Sequence, residues 1–304
     1  MPRWDLDQLR ALAAAVDMGT FEAAAGALHV TPSAISQRIK ALERHAGAVL
    51  LRRERPVRPT AAGEPLVRVA RQVEALLAGA GLDHADAPGH GDDSRLPKVP
   101  LAVNGDSLTT WVLPALAPLA GDVALEVRRE DQERTAALLR DGTVMGAVTS
   151  QRRAVQGCSS VVLGVMRYHA VMAPHLVERW FADGVHPRAL RRAPLVVFDR
   201  DDLLQDKVLD THGVLSADPP RHLVPASADF AEAIRLGFGW GMLPEQQSEP
   251  LEHAGGLVRL PGVDPVDVTL HWQQWTLDVP GLGVVARALA EAAHRVLRQL
   301  RAPG

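Results

Sequence analysis

The segment 31–47 narrows the fold more than any other, because start, body and stop of a helix are all marked there. Thr31 offers a side-chain oxygen suited to an N-cap, and Pro32 follows at the first helical position, where its missing N–H costs nothing. Gly47 closes the run. Between them Ile35, Ile39 and Leu42 share one face, Ser33, Ser36, Gln37, Lys40 and Arg44 share the opposite one, and Arg38 flanks the boundary. Upstream, Leu6, Leu9, Leu12, Ala13 and Val16 recur at helical spacing over 5–17 before Gly19. Thr20 then caps a short helix bearing Phe21, Ala24, Ala25 and Leu28. Helix, tight turn and helix in such a short span is the helix-turn-helix pattern.

Charge assigns a partner to the polar face. The chain of 304 residues has net charge −3, but residues 1–58 carry nine Lys/Arg against six Asp/Glu, a net +3, and the remainder sums to −6. Seven of those cations fall within 38–58, and Arg52, Arg53, Arg55 and Arg58 alternate with Pro56 and Pro59 as in an extended wing. A basic head on an acidic body points to a nucleic-acid reader joined to something else. The outward groups are those a major groove requires: amide for adenine, cations for guanine, hydroxyls for either bases or phosphates.

Beyond the head, Thr60 is expected to cap a long helix over 60–81 with an apolar stripe of Leu66, Val69, Val73, Leu76 and Leu77 that needs a partner. Pro65 in its first turns is expected to bend it. Residues 83–97 are polar and punctuated by Gly and Pro, as in a mobile hinge. Strands at 99–104, 123–128 and 145–149 then alternate with helices at 107–120 and 132–141, a βαβαβ beginning that implies a parallel sheet. A second set follows, with strands near 168–172, 195–198, 223–224 and 240–243 and helices near 202–211 and 227–236. A strand at 266–274 and a helix at 283–301 return to the first set.

The runs FEAAAGAL (21–28) and TPSAISQRIKALE (31–43), with Gly47, Leu50, Leu51 and Arg53, resemble the N-terminal domain of LysR-type transcriptional regulators. TAAG at 60–63 resembles the start of that family's linker helix. Leu51 stands where the family usually carries phenylalanine. The resemblance implies an all-α winged helix-turn-helix with a long linker helix, then an α/β effector module of two subdomains built like a type II periplasmic binding protein. The boundaries are 1–59 for the reader, 60–82 for the linker and dimerisation helix, 83–97 for the hinge and 98–304 for the module. Its subdomain I takes 98–163 and 268–304, and subdomain II takes 164–267. DNA contacts are expected from Thr31, Ser33, Ser36, Gln37, Arg38, Lys40, Arg44, Arg53 and Arg55.

Such modules hold a small molecule between lobes, at strand ends and helix starts. The first strand here ends in VNGDSLTTW (103–111), whose hydroxyls and backbone N–H groups suit a carboxylate, with Asp106 or Ser107 also readable as an ordinary helix cap. Acids at other strand ends (Glu130, Asp131, Asp199, Asp201, Asp202 and Asp229) suit a ligand with an additional cation. The candidate effector residues are Ser107, Leu108, Thr109, Thr110, Trp111, Glu130, Asp131, Thr149, Asp202 and Asp229. Further runs, LLRDG (138–142), GAVT (146–149), GVMRY (164–168), LLQD (203–206), VPASADF (224–230), GFGWGMLPE (237–245) and HWQQW (271–275), resemble the LysG/ArgP branch, regulators of basic amino-acid export and metabolism. That branch implies L-lysine or L-arginine as effector, with no cofactor. It implies an interrupted palindrome of double-stranded DNA as operator, RNA polymerase at the promoter, and a homodimer, extended by the family to a homotetramer.

Other chemistries find little support. The single cysteine, Cys158, falls in an expected loop and fits a reducing compartment. His84 and His90 lie among aspartates without zinc-site spacing, so no metal is expected. GFGWG at 237–241 lacks a phosphate-loop lysine, and no nucleophile-elbow motif occurs. Apolar runs are far short of the roughly 20 residues that span a bilayer, and no signal-peptide pattern is seen, so a cytoplasmic protein with no membrane partner is expected. Two alternatives stay open: a DNA-binding protein of architectural or replication role that needs no effector, and an enzyme on a binding-protein scaffold with a DNA-binding head.

Overall fold

Helices of the N-terminal domain begin where a side chain can satisfy their otherwise unpaired N–H groups. In this computed structural model, which describes residues 4–80, 82, 96–130 and 132–300, α1 (Leu6–Met18) is capped by Asp5 through the Gln8 N–H. Thr20 caps α2 (Phe21–Ala27) through Ala23, and Thr31 caps α3 (Pro32–Ala46) through Ala34. Gly19 and Gly47 end α1 and α3 in the left-handed conformation. Ile35, Ile39 and Leu42 are completely buried with Leu12, Ala24 and Leu50, and each Ile or Leu side chain so buried contributes about 1.5–3 kcal/mol. Leu51 is buried too, so the smaller aliphatic still fills its place. The wing is a two-stranded antiparallel hairpin, β1 (Leu51–Arg52) against β2 (Arg58–Pro59).

The linker helix starts later than its sequence suggests. Thr60 Oγ1 accepts from the Gly63 N–H and donates to the Val49 carbonyl, closing a turn, and α4 runs Glu64–Gly79. Gly63 is required there, since a Cβ would lie 2.0 Å from the Leu50 carbonyl oxygen. Pro65 falls in the first two positions of α4, where a missing N–H is harmless, so the expected bend has no cause. α4 buries Val67 and Ala70 toward α1, while Leu66, Val73 and Leu77 stay half-exposed and Val69 and Leu76 exposed. The expected hinge at 83–97, apart from Leu96 and Pro97, lies outside the described residues, as do His84 and His90.

The C-terminal module begins with β3 (Lys98–Val103) and a helical segment: α5 (Gly105–Ser107), a π-turn over Leu108–Val112, α6 (Leu113–Leu116) and a 3-10 turn over Ala117–Leu119. β4 (Ala124–Arg129), α7 (Gln132–Asp141) and β5 (Gly146–Thr149) follow, and β3 pairs in parallel with both β4 and β5. The long β6 (Cys158–Met172) leads into α8 (Pro174–Phe181), α9 (Pro187–Leu190), β7 (Leu195–Val197), α10 (Leu204–Thr211) and β8 (Arg221–Leu223). α11 (Ser227–Leu236), β9 (Gly241–Pro244), α12 (Glu245–His253), β10 (Val258–Arg259), β11 (Val266–Trp275) and α13 (Leu282–Val296) complete the chain.

β6 and β11 are the beams common to two lobes. Their pairing is antiparallel throughout, with a register shift between Leu270 and His271. On one side of that shift β11 continues through β5 to β3 and β4, so the sheet of lobe I is mixed rather than wholly parallel. On the other side β6 carries β9 and β10, and a bridge from Trp240 to Leu195 attaches the β7–β8 pair, forming lobe II. Cys158 therefore opens β6 instead of lying in a loop, and burial raises its thiol pKa. The final helix stops at Val296, short of the expected 301. Arg298 pairs in extended form with Val165, exchanging both backbone hydrogen bonds at 2.8 and 3.0 Å. Gly164 makes room for that tail: its φ is +147°, and a Cβ would stand 2.8 Å from Leu297 Cβ.

Candidate DNA-reading face and effector cleft

The reading face is the outer side of α3. Its 15 residues span about 22 Å, and a helix of that bore fits a major groove about 12 Å wide. Ser33, Gln37, Lys40 and Arg44 are exposed and Ser36 is half-buried at its flank. Gln37, Lys40 and Arg44 line an open concavity with Gly47 and Val49. Thr31 is exposed, but its hydroxyl oxygen is engaged in the cap. Arg38 is tied down by Asp7 at 2.8 Å, so it braces α3 against α1. Arg53 lies 3.8 Å from Glu43 and 5.9 Å from the Phe21 ring centroid, at the root of the wing. Arg55, on the hairpin, is exposed and makes no ion pair among the described residues.

In the C-terminal module the two lobes meet at Asp106. Asn104, not Asp106 or Ser107, caps the helical segment: its side chain accepts from the Ser107 N–H at 2.8 Å. Released from capping, the Asp106 carboxylate turns inward. It accepts from Tyr168 Oη at 2.8 Å and from Ser227 Oγ at 2.7 Å, the former on β6 and the latter opening α11 of lobe II. Gln247 of α12 donates in turn to Ser227 Oγ at 3.1 Å. Asp106 makes no ion pair among the described residues, so a half-buried acid is held by neutral hydroxyls. Burial raises its pKa, the nearby Asp202 adds to the rise, and the two hydrogen bonds oppose it. Burial, followed by the Asp106 charge, pushes the Tyr168 hydroxyl well above its ordinary value.

Asp202 stands on the lobe II side, accepting from the backbone N–H groups of Phe198 and Leu204 at 3.0 and 3.1 Å, and burial raises its pKa as well. The Phe198 ring closes over Gly105, where an added Cβ would lie 3.6 Å from it, and the Arg129 guanidinium sits 5.6 Å from its centroid. Two carboxylates, Asp106 and Asp202, thus act on one another where the lobes meet, with the Arg129 guanidinium set against Phe198. An additional positive charge would relieve the cost of burying Asp106 and Asp202.

The other expected contacts are more dispersed. Ser107 is completely buried and its Oγ has no partner among the described residues. Leu108 and Trp111 pack into the main core. Thr109 and Thr110 hydroxyls donate back to the carbonyls of Gly105 and Asp106 at 2.9 and 2.6 Å. These residues stand in or beside the π-turn, a distortion common at functional sites. Glu130 pairs with Arg134 at 3.1 Å, and Thr149 is buried, accepting from the Gln151 N–H. Asp229 is exposed in the first turn of α11, and Asp131 lies outside the described residues. Asp106, Tyr168, Ser227, Gln247 and Phe198 were not among the expected contacts. A usable signal existed for one of them: Tyr168 is the single tyrosine of the chain.

Among the described residues no three His, Cys, Asp or Glu side chains are grouped to hold a metal, and no helix is long and apolar enough to cross a membrane. Residues 6–64 match the family described as bacterial regulatory helix-turn-helix protein, lysR family, and residues 98–298 match the LysR substrate binding domain. The chain is 44% identical over 306 residues to the HTH-type transcriptional regulator LysG of Mycobacterium tuberculosis (strain H37Rv), covering all of this chain and 99% of that protein. The crystal structure of ArgP from Mycobacterium tuberculosis superposes with a TM-score of 0.87 at 41% identity, covering 98% of this chain and 100% of that one. Full-length LysG from Corynebacterium glutamicum with bound effector Arg superposes with a TM-score of 0.78 at 37% identity, covering 97% and 100%.

Proposed function

Since the chain belongs to the LysR family of bacterial helix-turn-helix transcriptional regulators, we propose that it senses lysine or arginine in the interlobe cleft and controls an amino-acid exporter or a related metabolic gene. The observation that carries this reading is Asp106, a half-buried carboxylate shared by both lobes that makes no ion pair among the described residues. The ammonium group of a basic amino acid supplies the missing charge, and Asp202 is left for the side-chain cation. The solved Corynebacterium relative with bound arginine supports the same ligand class. Membership in a family of regulators removes the enzyme alternative.

The reader spans 1–59 and the linker 60–82. Ser33, Ser36, Gln37, Lys40 and Arg44 meet bases and nearby phosphates, Thr31 and Arg38 set the pose of α3, and Arg53 and Arg55 lie along the backbone. Two copies join through α4: Val69 and Leu76 are 41% exposed, and Leu66, Val69 and Val73 border an apolar groove of about 520 Å³ with Trp4, Leu6 and Leu9. Such a dimer presents two α3 helices to an interrupted palindrome, and pairing of dimers gives the tetramer. The work is done in the cytoplasm, with RNA polymerase at the promoter. Effector binding shifts promoter activity only if the two states of the protein bind it with different affinity.

A thermal-shift screen of the full chain against the twenty amino acids tests the sensing step. A dose-dependent rise with lysine or arginine is expected. A flat response to all twenty would remove the effector and leave the architectural alternative, DNA binding without a small-molecule trigger.

A further inference from the structure

One side chain ties the DNA reader, the linker helix and the effector module together. Arg71 on α4 is only 12% exposed and forms an ion pair with Asp17 at the end of α1. Its Nη1 donates to the Asp141 carbonyl at 2.7 Å, to Thr143 Oγ1 at 2.9 Å and to Asp141 Oδ1 at 3.3 Å. Asp141 Oδ1 also accepts from the Thr143 N–H at 2.8 Å, so Arg71 grips a turn already stiffened by its own hydrogen bond. One turn back along α4, Arg68 Nη1 donates to the Gln156 carbonyl at 2.8 Å. Gly142 and Gly157 permit the approach, since a Cβ would stand 3.1 Å from Arg68 Cγ at the first and 2.8 Å from Arg68 Nη2 at the second.

The gripped turn joins two elements whose other ends lie beside the C-terminal end of β3, from which Asp106 follows. α7 begins two residues after Glu130 and ends at Asp141, about 15 Å away. β5 starts beyond the turn at Gly146 and finishes at Thr149, back at the strand ends. Helix and strand are stiff, so a shift of the cleft wall arrives at residues 141–146 with little loss. We propose that Arg71 is the positioning residue through which the effector cleft sets the pose of the DNA-reading helices. The proposal rests on the sensing role above and adds the route by which it reaches DNA. Coupling of this kind requires a contact that both sites bias, and Arg71 holds both in one guanidinium.

Three variants of the full chain separate coupling from folding. Arg71→Met cuts both attachments, Asp17→Asn weakens only the reader side, and Thr143→Val only the module side. Operator affinity is measured by fluorescence anisotropy on a duplex selected from random sequence with the unmodified protein, with and without saturating L-lysine or L-arginine. The unmodified protein is expected to change affinity by at least about fivefold. In Arg71→Met and Asp17→Asn the change should fall within about twofold, and it should be reduced in Thr143→Val, while calorimetric effector affinity and the oligomeric state stay as they were. Variants that keep the full ratio would overturn the proposal. If neither amino acid alters operator affinity in the unmodified protein, the sensing role fails by itself and the junction is judged by amide exchange. Adding operator DNA must then change protection over 138–146 in the unmodified chain and not in Arg71→Met. An equal change in both, or none in either, overturns the junction.

Discussion

Replacing Asp106 by asparagine separates what the cleft does for a ligand from what it costs the empty protein. Asparagine keeps the size but carries no charge: Tyr168 and Ser227 reach different oxygens of the carboxylate, so the amide oxygen accepts from one hydroxyl and the amide NH2 donates to the other. A hydrogen bond between a half-buried carboxylate and a ligand ammonium contributes about 1.5–3 kcal/mol, so effector Kd should rise about 10- to 150-fold, read by titration calorimetry with L-lysine and L-arginine. Without ligand the effect has the opposite sign. Burial raises the Asp106 pKa above its ordinary 3.8, so over the window between that value and the folded one the native state holds more protons than the unfolded state. Stability therefore falls as pH rises through this window, and the penalty is full above it. The substituted asparagine never ionises and escapes the penalty. The melting temperature of the ligand-free variant should match or exceed that of the parent at neutral pH, and the difference should shrink on acidification toward about pH 4. Asp202 titrates beside Asp106, so the comparison is read as a difference between the two proteins across pH. A variant that binds lysine and arginine within twofold of the parent would refute the role of Asp106 as the ligand's counter-charge. A lower melting temperature at neutral pH would refute the electrostatic account of its burial.

Other outcomes follow from the same geometry. Gln37→Ala should flatten base preference with little change in salt slope, whereas Arg55→Ala should weaken specific and random duplexes alike and lower the slope by about one; equal behaviour of the two would dissolve the division between base and backbone contacts. Val69→Glu and Leu76→Glu place charges in the exposed stripe of α4 and should shift sedimentation toward the monomer without unfolding α1–α4 by circular dichroism; an unchanged dimer would move the interface elsewhere. Gly164→Ala forces a Cβ against Leu297 and a left-handed backbone at the lobe boundary, so it should cost at least about 1 kcal/mol and release the tail from Val165, seen as faster amide exchange at Arg298.

The reader was legible because its information is local. Thr20, Thr31, Gly19 and Gly47 act within one turn of their own position, and the period of Ile35, Ile39 and Leu42 specifies which face is buried whatever it packs against. Strand positions in the module were legible for the same reason. The errors came where a distant segment decided the outcome. Thr60 looks like a helix cap, but its hydroxyl is spent on Val49 and Gly63, and the close approach of Leu50 at Gly63 delays the helix. The residues after Val296 read as more helix because nothing nearby stops them. The open edge of β6 at Val165 draws Arg298 into a single antiparallel bridge.

The amino-acid sequence by itself determined that this chain carries a helix-turn-helix head with a polar, cationic face, a long helix with an unpartnered stripe, and an alternating α/β module, since each depends on periodicity and on charge per segment. Only the tertiary structure decided which acid is held between the two lobes. The two hydrogen bonds that hold Asp106 reach Tyr168 and Ser227, 62 and 121 residues away along the chain. Nothing in the neighbourhood of Asp106 distinguishes a helix cap from a half-buried counter-charge until Asn104 takes the capping role and the lobes close around it. Contacts between distant segments are properties of the packed whole, and they set Asp106 apart from the other aspartates of the chain.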